Sequence, residues 1–312
     1  MRPMSILCNQ SSLASSINQI KLSIVIPSKS NDDPKLSQLL KSIEVQDFPK
    51  DQLEILVITE GTSESAKAIG IRLAKGEVIG ILASDNELIS EDFFSIMYQS
   101  ASKYGSSNPL YYYYKNDDNI LNRYFSLIGG NDPLAFYMNK NDKASYQDNW
   151  SFGPWRDRTF GDNGFFVRKS LIEKTDLDNY YHIDNATEIE NTPEYEMKSI
   201  WHKTGGNIFK FFIKRYKYGL QHAFNSNRRW HLVNFNRKED ICRLVFFIVV
   251  SLTIIHPLIF SIRGYIKIRD LAWFLHPITC LMTLFTYCVL MMRVGFFRLF
   301  QLLFAPTEDQ NL

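Results

Sequence analysis

LSIVIP, residues 22–27, is a short apolar run with β-branched Ile24, Val25 and Ile26 at its centre, closed by a proline. A run of this length without polar alternation fits a strand covered on both faces. A polar turn, Ser28 to Pro34, follows, and then KLSQLLKSIEVQ, residues 35–46, whose apolar residues recur at helical spacing. The pattern then repeats. LEILVIT, residues 53–59, reads as a second buried strand, leading through Glu60-Gly61-Thr62-Ser63 into a helical stretch from Glu64 to Ala74. A third strand, Val78 to Ala83, runs into Ser84-Asp85-Asn86. Strands alternating with helices predict a parallel sheet with helices on both faces, an α/β fold. In such sheets ligands sit outside the carboxyl ends of the strands. That rule gathers Pro27 to Asn31, Thr59 to Ser63 and Ser84 to Glu87 into one site.

The segment PSKSND after the first strand contains no glycine-rich phosphate loop, which argues against a Rossmann dinucleotide site or a P-loop. A nucleotide held there needs a metal ion to carry its diphosphate charge. The 312 residues suffice for a catalytic domain of about 200 residues and a membrane tail. The formal net charge of +2 conceals a local asymmetry. Between Lys203 and Arg243 ten Lys and Arg stand against Glu239 and Asp240, so this belt suits an anionic surface. Four cysteines, three of them in or beside apolar runs, suggest neither a disulfide framework nor a zinc spacing. Met1 to Gln19 lacks a signal-peptide core and reads as a polar lead-in.

Two apolar runs close the chain, Leu244 to Ile262 and Leu271 to Met292, neither containing Asp, Glu, Lys or Arg. Each is near the ~20 residues needed to cross a bilayer, and together they predict a transmembrane helical hairpin. The basic excess before the first run favours a cytoplasmic catalytic domain and a cytoplasmic tail, in a multi-pass protein of the cell membrane. His256-Pro257 and His276-Pro277 interrupt the runs, where proline kinks a helix or makes it re-entrant. The two histidines read as packing or interfacial groups rather than metal ligands. The expected organisation is a lead-in over 1–20, a catalytic domain over 21–206, a basic amphipathic interfacial segment over 207–240, two transmembrane helices over 241–292 and a tail over 293–312.

Five pieces in order resemble the inverting family 2 glycosyltransferases of the GT-A fold. They are Ser23-Ile24-Val25-Ile26-Pro27, LSQLLKSIEVQ over 36–46, EILVITEGTSE over 54–64, Ala74-Lys75-Gly76-Glu77, and Ala83-Ser84-Asp85. Thr59-Glu60 stands where the family has Asp-Asp, and Ala83 where it has the first Asp of a D-x-D. The resemblance implies a GT-A type mixed sheet that binds a nucleotide-sugar donor through Pro27, Ser28, Lys29, Glu60, Ser84 and Asp85. It further implies a divalent cation, Mg or Mn, at Asp85, with His202 near the diphosphate or metal.

Further along, Gly161-Asp162-Asn163-Gly164 resembles the family's G-x-N segment under the donor sugar, and Gly129 to Pro133 is a second candidate lip of the acceptor cleft. Asp132, Asp162 and Asn163 are thus the acceptor-side candidates. Asp184 lies where the family places its general base, with Glu188 in reserve. Lys214, Arg215, Arg228 and Arg229, in a basic aromatic stretch before the first apolar run, are candidates for a lipid phosphate. That position favours lipid over nucleic acid as the partner. Ser226 replaces the Gln of the Q-x-x-R-W signature of processive synthases, which argues against a polymer synthase. The implied function is sugar transfer with inversion to a lipid-linked acceptor, polyprenyl phosphate or a lipid-linked glycan. Two alternatives stay open: a non-catalytic scaffold or sugar-nucleotide-binding partner, and a transferase acting on a soluble or protein acceptor.

Overall fold

The structure is a computed structural model and describes residues 19–109, 113–128, 132–138, 145–147, 150–153, 164–173, 192–195, 200–203, 206–225, 233 and 235–304. Its elements in chain order begin with β1 (Leu22–Pro27), α1 (Pro34–Glu44), β2 (Leu53–Ile58), α2 (Ser63–Leu73), β3 (Val78–Ile81), β4 (Asn86–Leu88), α3 (Phe93–Tyr104) and β5 (Ser106–Pro109). There follow α4 (Ile120–Ile128), α5 (Pro133–Tyr137), β6 (Ser145–Gln147), β7 (Trp150–Gly153), β8 (Phe165–Arg168), α6 (Lys169–Ile172), β9 (Thr192–Tyr195) and β10 (Ile200–His202). The chain ends in α7 (Ile208–Asn225), α8 (Lys238–Thr253), α9 (Ile255–Lys267) and α10 (His276–Phe304). Two compact units result, and they interleave in sequence. One holds residues 1–118, 125–131 and 139–204; the other holds 119–124, 132–138 and 205–312.

The first unit is a mixed eight-stranded sheet in the order β2-β1-β3-β8-β5-β9-β7-β6, with a separate two-stranded ribbon of β4 and β10. β1 pairs in parallel with both β2 and β3, so the loops following these three strands leave the sheet at one end. Alternation along β1 divides its side chains between two cores. Leu22, Ile24 and Ile26 pack with Leu36, Leu39 and Ile43 of α1 and Phe93, Phe94 and Met97 of α3. Val25 faces the other way, onto Ala66 and Ile71 of α2. The run at 22–27 is thus an interior strand, covered by helices on both faces of the sheet.

Both leading helices start where local chemistry satisfies their free N–H groups. The Asp33 carboxylate accepts from Lys35 N, and Pro34 opens α1 where its missing N–H costs nothing. Thr62 and Ser65 cap each other at the start of α2. The Ala74-Lys75-Gly76-Glu77 turn is pinned from below. Buried Glu54 accepts from Ser23 Oγ at 2.6 Å and from Lys75 N at 2.9 Å, while Ser23 Oγ accepts from Gly76 N at 2.8 Å. A Cβ on Gly76 would come within 2.6 Å of Ser23 N and 2.8 Å of Leu22 C, both backbone, so glycine is required there.

The second unit is helical. The first apolar run is not one helix: α8 ends at Thr253, Ile254 takes a left-handed φ of 63°, and α9 leaves at 83° to α8. Pro257 is the physical reason. Its ring would clash with the carbonyl four residues back, that of Thr253, and it lacks the N–H that would bond there. Placed in the first turn of α9 it is harmless, and Pro277 sits likewise in the first turn of α10. Among the described residues one helix is long and apolar enough to cross a membrane, Leu271–Gly295, and the bent pair α8–α9 passes only when taken together. The expected hairpin is therefore not shown, since a second span is counted only if the bent pair is taken as one, and the multi-pass reading is not supported. α10 also continues to Phe304, into the stretch expected to be a tail.

Candidate functional site

The carboxyl ends of β1, β2 and β3 supply three loops. Ser28 N donates to Ile58 O at 2.9 Å, tying the loop after β1 to the end of β2. In the first loop Pro27 and Ser28 are half-buried and Lys29 is exposed; in the second Glu60 is exposed beside Gly61, whose φ of 76° turns the chain toward α2. In the third, Asn86 Oδ1 accepts from Ala83 N at 2.9 Å and closes a turn that presents Ser84 and Asp85.

Asp85 is the hub. Its Oδ2 lies 3.6 Å from Lys35 Nζ and its Oδ1 3.3 Å from His202 Nδ1, with 16% of its side-chain surface exposed. The β4–β10 ribbon brings His202 there by setting it opposite Asn86, and Lys203 N donates to Asp85 O at 3.0 Å. Because Asn86 Oδ1 is engaged by Ala83 N, its Nδ2 points at His202 Nδ1, 3.1 Å away. The ring nitrogen therefore faces a carboxylate and an amide donor at once, and its tautomer chooses between them. One carboxylate and one imidazole are the donor types for a divalent cation that completes its shell with diphosphate oxygens and water. Among the described residues no group of three or more His, Cys, Asp or Glu is placed to hold an ion without help.

Four residues stand in this site that were not among the candidates, Lys35, Gln38, Glu87 and Lys115. Lys35 and Gln38, one turn apart on α1, reach Asp85 and Glu87 respectively, and Gln38 Nε2 donates to Glu87 Oε2 at 2.6 Å. Glu87 also pairs with Lys115 Nζ at 3.0 Å. The first carboxylate of the D-x-D is absent at Ala83, yet a carboxylate stands two residues after Asp85. Reading Asp85-Asn86-Glu87 in that register, with Lys35 and Gln38 at helical spacing, was the available signal.

The remaining candidates fall elsewhere. Asp132 caps α5 by accepting from Leu134 N at 2.8 Å, and its carboxylate also takes hydrogen bonds from Arg215 and from Tyr287 Oη, all within the helical unit. Burial opposes the charge on Arg215, but Asp132 and Tyr287 outweigh it and hold the guanidinium pKa above its usual value. Lys214 is exposed on α7. His256 Nδ1 and His276 Nε2 each lie 3.2 Å from Tyr137 Oη, as partners in a side-chain network. Asp162, Asn163, Asp184, Glu188, Arg228 and Arg229 lie outside the described residues.

No protein-family model matches the chain. Glycosyltransferase GlyG of Streptococcus pneumoniae is 27% identical over 135 residues, 42% of this chain; the chain spans 41% of that protein's length. The likeness is to a glycosyltransferase. Among solved structures, the mannosyltransferase PcManGT from Pyrobaculum calidifontis, in complex with GDP-Man and Mn2+, overlays with a TM-score of 0.49 at 12% identity, covering 92% of this chain and 90% of that one. S. aureus TarS 1-349 in complex with UDP overlays with a TM-score of 0.40 at 12% identity, covering 67% of each chain.

Proposed function

We propose that this chain is a membrane-attached glycosyltransferase that takes a sugar from a nucleotide-diphosphate donor and passes it, with inversion, to a lipid-linked acceptor. The observation that carries the reading is the meeting of Asp85, His202 and Lys35 at the carboxyl ends of β1 and β3. That crevice is where open α/β sheets bind nucleotides. The likeness to GlyG supports the same class of chemistry. Asp85 and His202 would hold a Mg or Mn ion on the diphosphate, where it neutralises the leaving group's charge. Lys35 adds a second positive charge beside it. Asp184, with Glu188 in reserve, is proposed as the general base that deprotonates the acceptor hydroxyl.

Attachment to the membrane rests on the apolar helix Leu271–Gly295 and on exposed apolar side chains along α8 and α9, among them Val245, Val249, Leu252, Leu258 and Ile262. Exposed Lys210, Lys214 and Lys217 on α7 supply charge for an anionic headgroup. A cytoplasmic catalytic unit follows from the same basic excess.

A second reading has one observation behind it. Lys35 already stands 3.6 Å from Asp85 and supplies positive charge where the ion would sit, as in a unit that binds sugar nucleotide without turning it over. One assay separates the two. The full-length protein in detergent is given UDP-, GDP- and dTDP-sugars with membrane lipid extract, with and without Mn or Mg, and release of nucleoside diphosphate is followed. Metal-dependent release supports the transferase; nucleotide binding without release with any donor supports the second reading.

A further inference from the structure

A groove of about 510 Å3, open to solvent, adjoins the site within the first unit and is lined by Ile89, Tyr113, Tyr114, Lys115, Asn116 and Asp117. Its size lies within the range of small-molecule sites. We infer that this groove recognises a neutral carbohydrate, the terminal sugar of the acceptor, and that the Glu87–Lys115 pair forms its wall toward the donor. The inference rests on the transferase reading and narrows its acceptor.

Position comes first. Lys115 belongs both to the groove and to the site, since its ammonium group reaches Glu87 Oε2 at 3.0 Å. Glu87 is held by Gln38 and Asp85 by Lys35, one helical turn apart on α1, so the two carboxylates are neighbours along that helix. One turn of α-helix rises about 5 Å, roughly the width of a sugar ring. A ligand in the groove thus lies beside a diphosphate at Asp85.

The wall is built rather than incidental. Lys115 Nζ stands over the Trp201 ring at 4.2 Å, and Trp201 Nε1 donates to Asp118 Oδ2 at 2.7 Å. Tyr113 N donates to Ile200 O at 2.7 Å, attaching the segment to β10, and Ser126 Oγ donates to Tyr113 O at 3.1 Å. Asp118 N donates to Lys115 O at 3.3 Å, closing a turn with Asn116 and Asp117 exposed at its tip.

Charge decides the ligand class. Among the described lining residues the one cation, Lys115, is offset by Glu87, and Asp117 adds a further negative charge, so these residues give a phosphate no net attraction. A carboxylate and an amide beside two tyrosine rings instead match a sugar, whose paired hydroxyls donate to carboxylates and amides and whose C–H face packs on aromatic rings. The lipid phosphate, if the acceptor carries one, is then bound elsewhere, and the groove reads the glycosyl end.

The test uses the full-length protein in detergent and methyl glycosides of glucose, galactose, mannose and N-acetylglucosamine, observed by saturation-transfer NMR. At least one glycoside is expected to receive saturation from the protein. In the exposed-site double variant Asn116→Ala/Asp117→Ala its affinity is expected to fall at least tenfold, with affinity for UDP or GDP as the folding control. Lys115→Met, which breaks the wall without removing the tip, is expected to weaken the same glycoside. Absence of glycoside binding to the wild type, equal binding by wild type and double variant, or displacement of every glycoside by geranyl phosphate would each overturn the inference. The transferase reading fails by a different result, nucleotide binding without turnover, which leaves glycoside binding intact.

Discussion

Asp85 has two charged or chargeable neighbours. Lys35 Nζ lies 3.6 Å from one carboxylate oxygen, and the His202 ring decides between donating to the other and accepting from Asn86. Replacing the carboxylate by an amide keeps the size and removes the charge on which an ion depends. Asp85→Asn is expected to lower turnover about 100-fold or more, the scale for loss of a preorganised charge at a reacting diphosphate. Nucleoside diphosphate release over a Mn titration checks it; wild-type rates at saturating Mn would remove Asp85 from the mechanism. A different residue-scale pair sits in the helical unit. Arg215 and Asp132 form an ion pair in which the Arg side chain keeps 26% of its surface and the Asp 6%, so cutting one partner costs less than in a sealed pair. Arg215→Met is expected to destabilise by about 2–4 kcal/mol, with Asp132→Asn/Arg215→Met recovering part of the loss. Thermal unfolding of the three variants measures that coupling, and additive losses would contradict it.

Among the elements, the short turn at Ala74 to Glu77 and the bend at Ile254 carry the clearest consequences. The turn is where a motif that looks like ligand chemistry is a packing device: Gly76 lies against the backbone of β1, and Glu54 gathers Ser23 and Lys75 beneath it. Gly76→Ala is expected to cost about 1–3 kcal/mol by overpacking against atoms that do not move cheaply. A melting temperature unchanged within a degree would show the strand edge to be softer than its contacts imply. At Ile254 the chain is forced apart by Pro257. The two halves have 16 and 13 residues, about 24 and 20 Å of helix, each short of a hydrocarbon core of ~30 Å. A bend of 83° between them lets the pair enter and leave by one face. Single cysteines at Lys238 and Lys267, in a background without other cysteines, are expected to react with an impermeant maleimide from the same side of sealed vesicles. Labelling from opposite sides would make the pair a broken span.

At the scale of the whole molecule, the helical unit is not a tail appended to the sheet. It draws residues 119–124 and 132–138 from inside the sequence, and its core joins Leu134 and Met138 to Phe247 and Cys280. Arg123 Nε donates to Asp270 Oδ2 at 2.9 Å, and Tyr124 Oη meets His276 Nδ1 at 2.7 Å. Ending the chain at Lys238 removes the partners of these groups and leaves buried aromatic and charged side chains unpaired. Such a truncation is expected to aggregate or to need detergent despite having lost every apolar run, as size-exclusion chromatography would show. A monodisperse, detergent-free fragment would mean that 119–138 repacks on the sheet.

The sequence by itself determined the α/β alternation, the three loops at one sheet end and the apolar character of the last third, because these depend on period and composition within short windows. Asp85 was legible as a strand-end carboxylate. His202 entered only through the family resemblance, and the other neighbours were not legible. Lys35, Gln38 and Lys115 are far apart in sequence, and only strand order and the β4–β10 register set them, with His202, around one carboxylate and its neighbour Glu87. The same holds for Asp132, expected on the acceptor side, and Arg215, expected at a lipid phosphate, which are found paired with each other. Local sequence carries propensity and polarity; which charges meet is decided by tertiary packing, since desolvating one of them without its partner is what the fold avoids.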